Sequence, residues 1–554
     1  MQYEKIGVIT TALFCAALNA TVLAASPIPS FDKEAVTTHP YNRTGQQEAT
    51  VTDSQKSDDA WSSGNTGTAE HPAFYIKEIK LTGFELPDEL GELQGIVKKY
   101  THRSVEVAEL QKLTAEVSQY ARNRGFTVAQ AVVPPQEIAD GKLEIKVYVA
   151  SFDKINLKVN GSDVADRVIK RFMKPLRSGE VITDKKLESV LNNLNDLPGV
   201  IGRGILQPGS KPATTSLDVE VLERRVWNNY IFADNGGSQS SGRYRYGIHT
   251  EINNPGHQGD KIGVTGYISN KHTKNYGVNY ETAIGGRGTR WGIGYSKSSY
   301  DLGTVGFWNP TGESEGFSFY GLTPIYRDKS KRLTAIYGYD HRKITDDLRF
   351  DLIPELGLKV GTEKKADVFH AGLAFSEYLP NRFTSGNVIY WYGDIDTDNG
   401  GAYYDGGYHK LTADFNHVRY WKLWNLRFNA SAQLANRSLD GSERFYLGGL
   451  SGVRAYPASE TSGDVGYTAT MELRRATGIE GLEAAAFVDV GEVTRMKGYG
   501  DHRNLAGWGL GLRYAKPGDW YAQFDYARKI NGEDYTSEDH NHNGRMWFQV
   551  YKMF

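Results

Sequence analysis

From about Trp227 to Phe554 the chain is written in short runs of alternating apolar and polar residues, broken by Gly, Asn and Asp clusters. A period of two sets one row of side chains on each face of a strand. Between Leu482 and Gly491 one row is Leu482, Ala484, Ala486, Val488 and Val490, and the other is Glu483, Ala485, Phe487, Asp489 and Gly491. Gly507, Gly509, Gly511 and Arg513 alternate with Trp508, Leu510, Leu512 and Tyr514, and Trp520, Ala522, Phe524 and Tyr526 make the next apolar row. Before these, Tyr467, Ala469, Met471 and Leu473 alternate with Thr468, Thr470, Glu472 and Arg474. A soluble sandwich turns polar rows outward. Here the aromatic and aliphatic rows need an apolar surrounding and the small and charged rows need a wet interior. About sixteen such segments fit, at roughly ten residues each plus turns, and an even count suits a bacterial barrel. The connectors alternate as well: short near Gly478, longer from Val493 to Asn504, short at Lys516 to Asp519, long before Arg545.

No stretch beyond the first two dozen residues approaches the apolar length of a transmembrane helix. A membrane location therefore requires a closed sheet, because lipid leaves no backbone group unsatisfied. With 61 Gly, 34 Tyr and 10 Trp but only 39% hydrophobic residues, the composition fits such a wall. A formal charge of -2 gives no basic footprint for nucleic acid. Residues 1–24 read as an export signal: Lys5, an apolar run from Ile6 to Leu18, then Val22-Leu23-Ala24 for cleavage. Cys15 is the single cysteine and lies inside that run, so the exported protein is expected to hold together without disulfides.

Residues 25–72 are dominated by Ser, Thr, Asp, Gln and Gly and read as a polar linker. An internal repeat follows. Phe74 to Gly83 (FYIKEIKLTG) matches Phe152 to Gly161 (FDKINLKVNG), and Leu113, Gly125, Pro134 and Leu143 correspond to Leu187, Gly199, Pro208 and Leu217 in constant register. Each copy reads as a strand, a helical stretch and two strands, with Leu110, Leu113, Val117 and Tyr120 as the apolar stripe of a helix near Glu106 to Arg122. The reading is two tandem α+β modules at 73–150 and 151–225, ahead of a barrel at 226–554.

A loop of some thirty residues, 437–465, separates the eleventh and twelfth strand segments, and a loop that long usually has a task. It carries Gly452-Val453-Arg454-Ala455-Tyr456, which resembles the Val-Arg-Gly-Tyr signature of the barrel-assembly superfamily with Ala455 in place of the usual Gly. Phe487-Val488-Asp489-Val490-Gly491 is similar to that superfamily's Phe-x-Asp-x-Gly strand motif. Asp234, Asn235, Gly236 and Gly237, with Gly242 and Arg243 after them, resemble the opening of the barrel in its secretion branch. The terminal strand ending at Phe554 resembles the signal read by barrel-assembly machinery, with Lys552 a departure in the row Met546, Phe548, Val550 and Phe554. The branch implied is the two-partner secretion transporters (TpsB). Its fold is an all-β transmembrane barrel of about sixteen antiparallel strands plus two tandem α+β POTRA modules.

That resemblance implies a pore in the bacterial outer membrane with periplasmic POTRA modules. It exports one unfolded exoprotein of the TpsA type, an adhesin, a cytolysin or a contact-dependent toxin (CdiA-like), without ATP and without a cofactor. It further implies a monomer in a lipid bilayer, inserted by the barrel-assembly machinery with periplasmic chaperones, and a plug helix within 25–72, around Ser30 to Thr38. Independently of the family, Asp489 lies in the inward row, where a loop folded into the lumen sets the Arg454 guanidinium against its carboxylate as a bidentate pair. Gly491 leaves room for that approach, Tyr456 braces the tip, and Glu472 and Arg474 face the same polar interior.

Other signals are weaker. Asp394, Asp396 and Asp398 resemble a calcium loop, but the following Gly is one place late and Asp405 stands where a Glu is needed. His540 and His542 lack acidic or cysteine companions at ligand spacing. Neither a Gly-rich phosphate loop nor a nucleophile elbow is present, so the chain does not read as an enzyme. The rival readings are an outer-membrane insertase, which shares the loop and strand motifs, and a passive porin, which leaves the paired modules without a role.

Overall fold

The computed structural model describes residues 51–53, 73–223, 229–302, 308–328, 330–350, 359–398, 404–494, 502–530, 534–538 and 541–554. The expected export signal, the expected plug around Ser30 to Thr38, and His540 lie outside them. The chain divides into two compact units.

The first unit holds β1 (Val51–Asp53), β2 (Ala73–Ile76), β3 (Glu78–Gly83), α1 (Glu92–Lys98), β4 (Arg103–Glu106), α2 (Val107–Asn123), β5 (Ala129–Val132) and β6 (Lys142–Val149). It continues with β7 (Ser151–Gly161), α3 (Asp166–Met173), α4 (Asp184–Asn195), β8 (Val200–Pro208) and β9 (Thr214–Glu223). In the first module the sheet order is β3-β6-β5, with β3 parallel to β6. In the second it is β8-β9-β7, with β7 parallel to β9 and β1 added in parallel on β8. The sequence repeat is thus a repeat of topology. Leu113 on α2 and Leu187 on α4 occupy the same place and are at most 1% exposed.

The helix α2 begins where Glu106 and Glu109 form a reciprocal capping box, which satisfies amides that the first turn leaves free. Its residues Leu110, Leu113, Val117 and Tyr120 are all buried in the module core. Ser118 donates to the Thr114 carbonyl at 2.6 Å and accepts the Ala131 amide at 2.8 Å, which pins the helix to β5. Each module contains two helices where the sequence pattern suggests one. The extra helices, α1 and α3, span only 7 and 8 residues. Two turns are too short to establish a periodic stripe or to be stable alone, so packing rather than propensity forms them.

The second unit is a closed barrel of sixteen antiparallel strands. In order these are β10 (Tyr230–Asp234), β11 (Arg245–Asn253), β12 (Lys261–Ser269), β13 (Lys274–Ile284), β14 (Thr289–Asp301), β15 (Trp308–Arg327), β16 (Lys331–Phe350) and β17 (Lys359–Leu379). There follow β18 (Arg382–Thr397), β19 (Gly406–Trp421) and β20 (Trp424–Ala435), and after the long loop β23 (Val465–Ala476), β24 (Leu482–Thr494), β25 (His502–Lys516), β26 (Trp520–Lys529) and β27 (Gly544–Met553). Within the loop, β21 (Phe445–Leu447) and β22 (Thr461–Gly463) form a small hairpin. No helix among the described residues is long and apolar enough to cross a membrane; a barrel crosses with its strands.

The two rows read from the sequence face as expected. Val488, Trp508, Leu510, Leu512 and Phe524 are exposed on the outside, while Phe487, Asp489 and Arg513 are buried inside. Two details differ. Strands β15, β16 and β17 run for 20, 20 and 21 residues, about twice the expected length. The connector expected at Val493 to Asn504 is shorter, because Val493 pairs with Arg503 and Thr494 with His502, leaving 495–501. In both cases strand continues where the outward row is polar, so the alternation that marks a membrane strand fades before the hydrogen-bond ladder ends.

Candidate functional site in the barrel lumen

The long loop leaves β20 and returns at β23, and its own hairpin of β21 and β22 carries the tip inward. Gly448 and Gly449 take φ of 101° and 88°. The Gly449 amide donates to Tyr456 O at 3.1 Å and the Tyr456 amide to Val453 O at 3.1 Å, closing a compact tip. Val453, Ala455 and Tyr456 are fully buried with Leu447, Phe487 and Tyr535. Gly452 sits in the same turn, its amide donating to Gly449 O at 3.1 Å. Ala455 is not among the residues with positive φ, so this backbone does not require glycine there. Its methyl group faces Gly507 of β25, where a wall Cβ would come within 2.5 Å.

Arg454 and Asp489 meet inside the barrel. The guanidinium donates from Nε to Asp489 Oδ2 at 2.9 Å and from Nη2 to Oδ1 at 2.9 Å, a bidentate pair, and the Arg454 amide donates to Oδ2 at 3.1 Å. Nη1 reaches Glu472 at 2.9 Å and Asp525 at 3.1 Å. The guanidinium carbon lies 3.3 Å from the centre of the Phe487 ring. Thr470 donates to Asp489 at 2.9 Å and so orients the carboxylate from the neighbouring strand. Gly491 gives the loop its close approach, since a Cβ there would fall 2.4 Å from Leu447 Cδ1. Tyr456 meets Tyr535 edge to face at 5.9 Å.

Glu472 and Arg474 belong to the same network, with Arg474 Nε donating to Glu472 at 2.6 Å. Sequence reading missed its other members. Arg513 on β25 donates to Glu472 at 2.9 Å and to Asp525 at 2.6 Å, Trp547 on β27 donates to the Arg454 carbonyl at 2.6 Å, and Tyr535 donates to the Ala455 carbonyl at 3.0 Å. Arg513 stands in the inward row of β25. Asp525 could have been found by reading the second row of β26, where Tyr521, Gln523 and Asp525 face inward beneath the aromatic row.

The opening motif lies elsewhere, at the seam where the first strand meets the last. Asp234 ends β10, is 1% exposed, and accepts from Arg245 Nε at 2.8 Å and from the Gly236 amide at 2.8 Å. Asn235 carries the pairing one step further: Nδ2 donates to Met546 O at 2.9 Å and Oδ1 accepts the Phe548 amide at 2.8 Å. A Cβ on Gly237 would lie 1.9 Å from the Gly242 carbonyl, so that turn closes only without a side chain. Phe554 follows the last strand, its amide donating to Asn229 O at 3.0 Å. Lys552 pairs with Asp519 and lies over the Trp520 ring at 5.0 Å. No group of three or more acidic, His or Cys side chains suited to a metal occurs among the described residues.

A family model described as haemolysin secretion/activation protein ShlB/FhaC/HecB matches residues 214–514, more than half of the chain, and a ShlB-type POTRA domain model matches 74–149. The heme/hemopexin transporter protein HuxB of Haemophilus influenzae is 25% identical over 523 residues, covering 87% of this chain and 89% of that protein. The outer membrane transporter CdiB of Dickeya dadantii is 21% identical, covering 71% of each. Among solved structures, CdiB from Escherichia coli superimposes with a TM-score of 0.69 at 20% identity, over 89% of this chain and 93% of that one. BamA from Haemophilus ducreyi lacking POTRA domains 1-3 gives 0.51 at 16% identity, over 87% and 100%. The chain belongs to the ShlB/FhaC/HecB haemolysin secretion/activation family, the TpsB transporters of two-partner secretion, and is an outer-membrane transporter of that kind.

Proposed function

We propose that the chain exports one TpsA-type exoprotein through its barrel, and that the pair of Arg454 and Asp489 holds the long loop in the lumen as the resting closure of the pore. The observation that carries this reading is the buried, bidentate contact between the loop tip and the wall. A solvent-exposed arginine at a loop tip gains little from such a pair. Here side chains 5% and 0% exposed meet at 2.9 Å, and a surrounding set of carboxylates and aromatic rings fixes the direction of approach.

The modules offer the capture surface. Strand β5 is the edge of its sheet, and an unfolded client adds there as a further strand through main-chain hydrogen bonds that need no particular side chains. A cleft of about 290 Å³ beside it, lined in part by Val128, Gln130, Tyr148, Leu206 and Pro208, accepts alternate side chains of such a strand. The client then threads the lumen, drawn by folding outside, since the outer membrane supplies no nucleotide. On this reading residues 1–24 direct export, Phe554 serves the barrel-assembly machinery, periplasmic chaperones carry the nascent barrel, and the transporter works as a monomer. The name of the Haemophilus relative makes a heme- or hemopexin-binding exoprotein the first partner to try.

The test is export of a co-expressed exoprotein. Arg454→Ala and Asp489→Ala are each expected to lower its appearance outside the cell at least tenfold, in line with about 3–5 kcal/mol for orphaning a buried charge. The barrel should stay inserted, shown by its mobility shift between unheated and heated gel samples. Undiminished export by both variants would overturn the assignment. If depletion of the protein instead lowered unrelated outer-membrane proteins, the insertase reading would replace it.

A further inference from the structure

The loop is held at a second place, by charges of the opposite sign. Asp440 caps and Glu443 ends a single helical turn near the start of the loop, and both are buried. Lys364 on β17 contacts Asp440 at 3.0 Å and Asp346 of β16 at 2.9 Å, and Tyr300 donates to Asp346 at 2.7 Å. Glu443 pairs with Arg342 of β16 and with Lys410 of β19, the latter at 2.6 Å. Also on β16, Asp340 stands 3.3 Å from His370. The loop side of this contact is pre-formed: Asp440 accepts the Ser442 amide at 3.0 Å, and Asp464 accepts the Leu439 amide at 2.9 Å and faces Arg444 at 3.4 Å. Gln433 of β20 adds a 2.9 Å bond to the Glu443 carbonyl.

Two arcs of wall therefore grip one loop with inverted polarity. At the tip, a loop cation enters a wall of Glu472, Asp489 and Asp525 that already contains Arg474 and Arg513. At the base, two loop carboxylates enter a wall of Arg342, Lys364 and Lys410, in which Asp346 and Asp340 also stand. Each arc is short of counter-charge without the loop, and Arg342, Lys364 and Lys410 are at most 11% exposed on their side chains. A buried cation stripped of its carboxylate is costly. The tip cannot leave the lumen by bending alone, because the base is bound separately to β16, β17 and β19, which stand three to six places around the wall from the β24 strand that holds Arg454.

We propose that Asp440 and Glu443 form a second latch of the lumen loop, separate from Arg454, and that the pore opens to a polypeptide only when both latches let go. This rests on the reading of the loop as the pore's resting closure. The experiment is single-channel recording in planar lipid bilayers with the full-length protein and potassium chloride as the only permeant. Four proteins are compared: the wild type, Asp440→Asn with Glu443→Gln, Arg454→Ala, and all three changes together. The amide substitutions keep shape and remove charge. Unheated and heated gel mobility confirms that each barrel is intact.

Conducting occupancy should rise about tenfold or more in the base variant, as expected for charge-assisted bonds lost at a buried site. The triple variant should approach the product of the two separate effects, because latches in series contribute independently. If Arg454→Ala raises occupancy while the base variant matches the wild type and adds nothing in the triple, the second latch is wrong and the closure reading stands. If none of the variants conducts more than the wild type, the loop is not the closure, and both readings fall.

Discussion

Arg454 commits every polar nitrogen of its side chain, and its own amide as well, to three carboxylates on three strands, while Phe487 covers one face of the fork. A lysine presents a point charge and cannot span Asp489 in two places. Arg454→Lys is therefore expected to lose most of the export lost by Arg454→Ala, a comparison that the same secretion assay makes directly. At Gly491 any side chain meets Leu447 and the Tyr467 carbonyl, the latter 2.8 Å from a built Cβ. Gly491→Val should lift the loop hairpin and raise resting conductance without changing strand count. Arg454 and Asp489 were legible because each belongs to a family motif, Arg454 in an unusually long loop and Asp489 at an inward position on an alternating strand. Arg513 and Asp525 were not assigned to each other, because β25 and β26 pair Gly511 with Asp525 and the stagger of the wall decides which charged neighbours meet. Spacing along one strand does not encode that stagger.

At the scale of elements the seam is the informative place. Strands β10 and β27 share five residue pairs, whereas β16 and β17 share nineteen. The Asn235 carboxamide extends this short ladder, and Asn235→Ala leaves a backbone donor and acceptor of β27 unmatched. A loss of about 1–3 kcal/mol is expected, read as a lower temperature for collapse of the unheated gel band. Inward of the same seam, Tyr230, Phe232, Tyr521 and Tyr551 pack into one buried cluster, which holds by contact what the ladder lacks. In the first module, Asp88 accepts the amides of Leu93 and Gln94 at 3.0 Å each and so caps the first turn of α1. Burial pushes the Asp88 carboxyl upward, but these amides, with Tyr120 and Arg124, outweigh it and hold it below its ordinary 3.8. Its contribution is thus complete above that ordinary value and disappears as pH falls through the lowered one. Protection of the Leu93 and Gln94 amides, corrected for intrinsic exchange, should fall as pH drops below that ordinary value toward the acid limit of folding, and Asp88→Asn should remove that dependence. The helix α1 itself was invisible in the sequence for want of length, while α2 announced itself through a full apolar stripe.

For the whole molecule, the strand number and the position of the long loop between the eleventh and twelfth strands could be read from alternation alone. Lipid imposes that alternation on any wall it touches. Where a strand leaves the lipid the constraint ends, and from Lys343 to Arg349 the outward row of Lys343, Thr345, Asp347 and Arg349 is polar although the segment is paired throughout with β17. Removing residues 73–150 should leave a barrel that inserts and still shifts on heating but no longer exports its partner, as measured by fractionation beside the secretion assay. The uneven strands have a further result. Strands of five to eleven residues stand at β10 to β13, and strands of twenty or more at β15 to β17. The rim of the cylinder is consequently a parapet on one flank and a low sill on the other, so a chain emerging from the mouth is screened from its neighbours on one side and released toward the other.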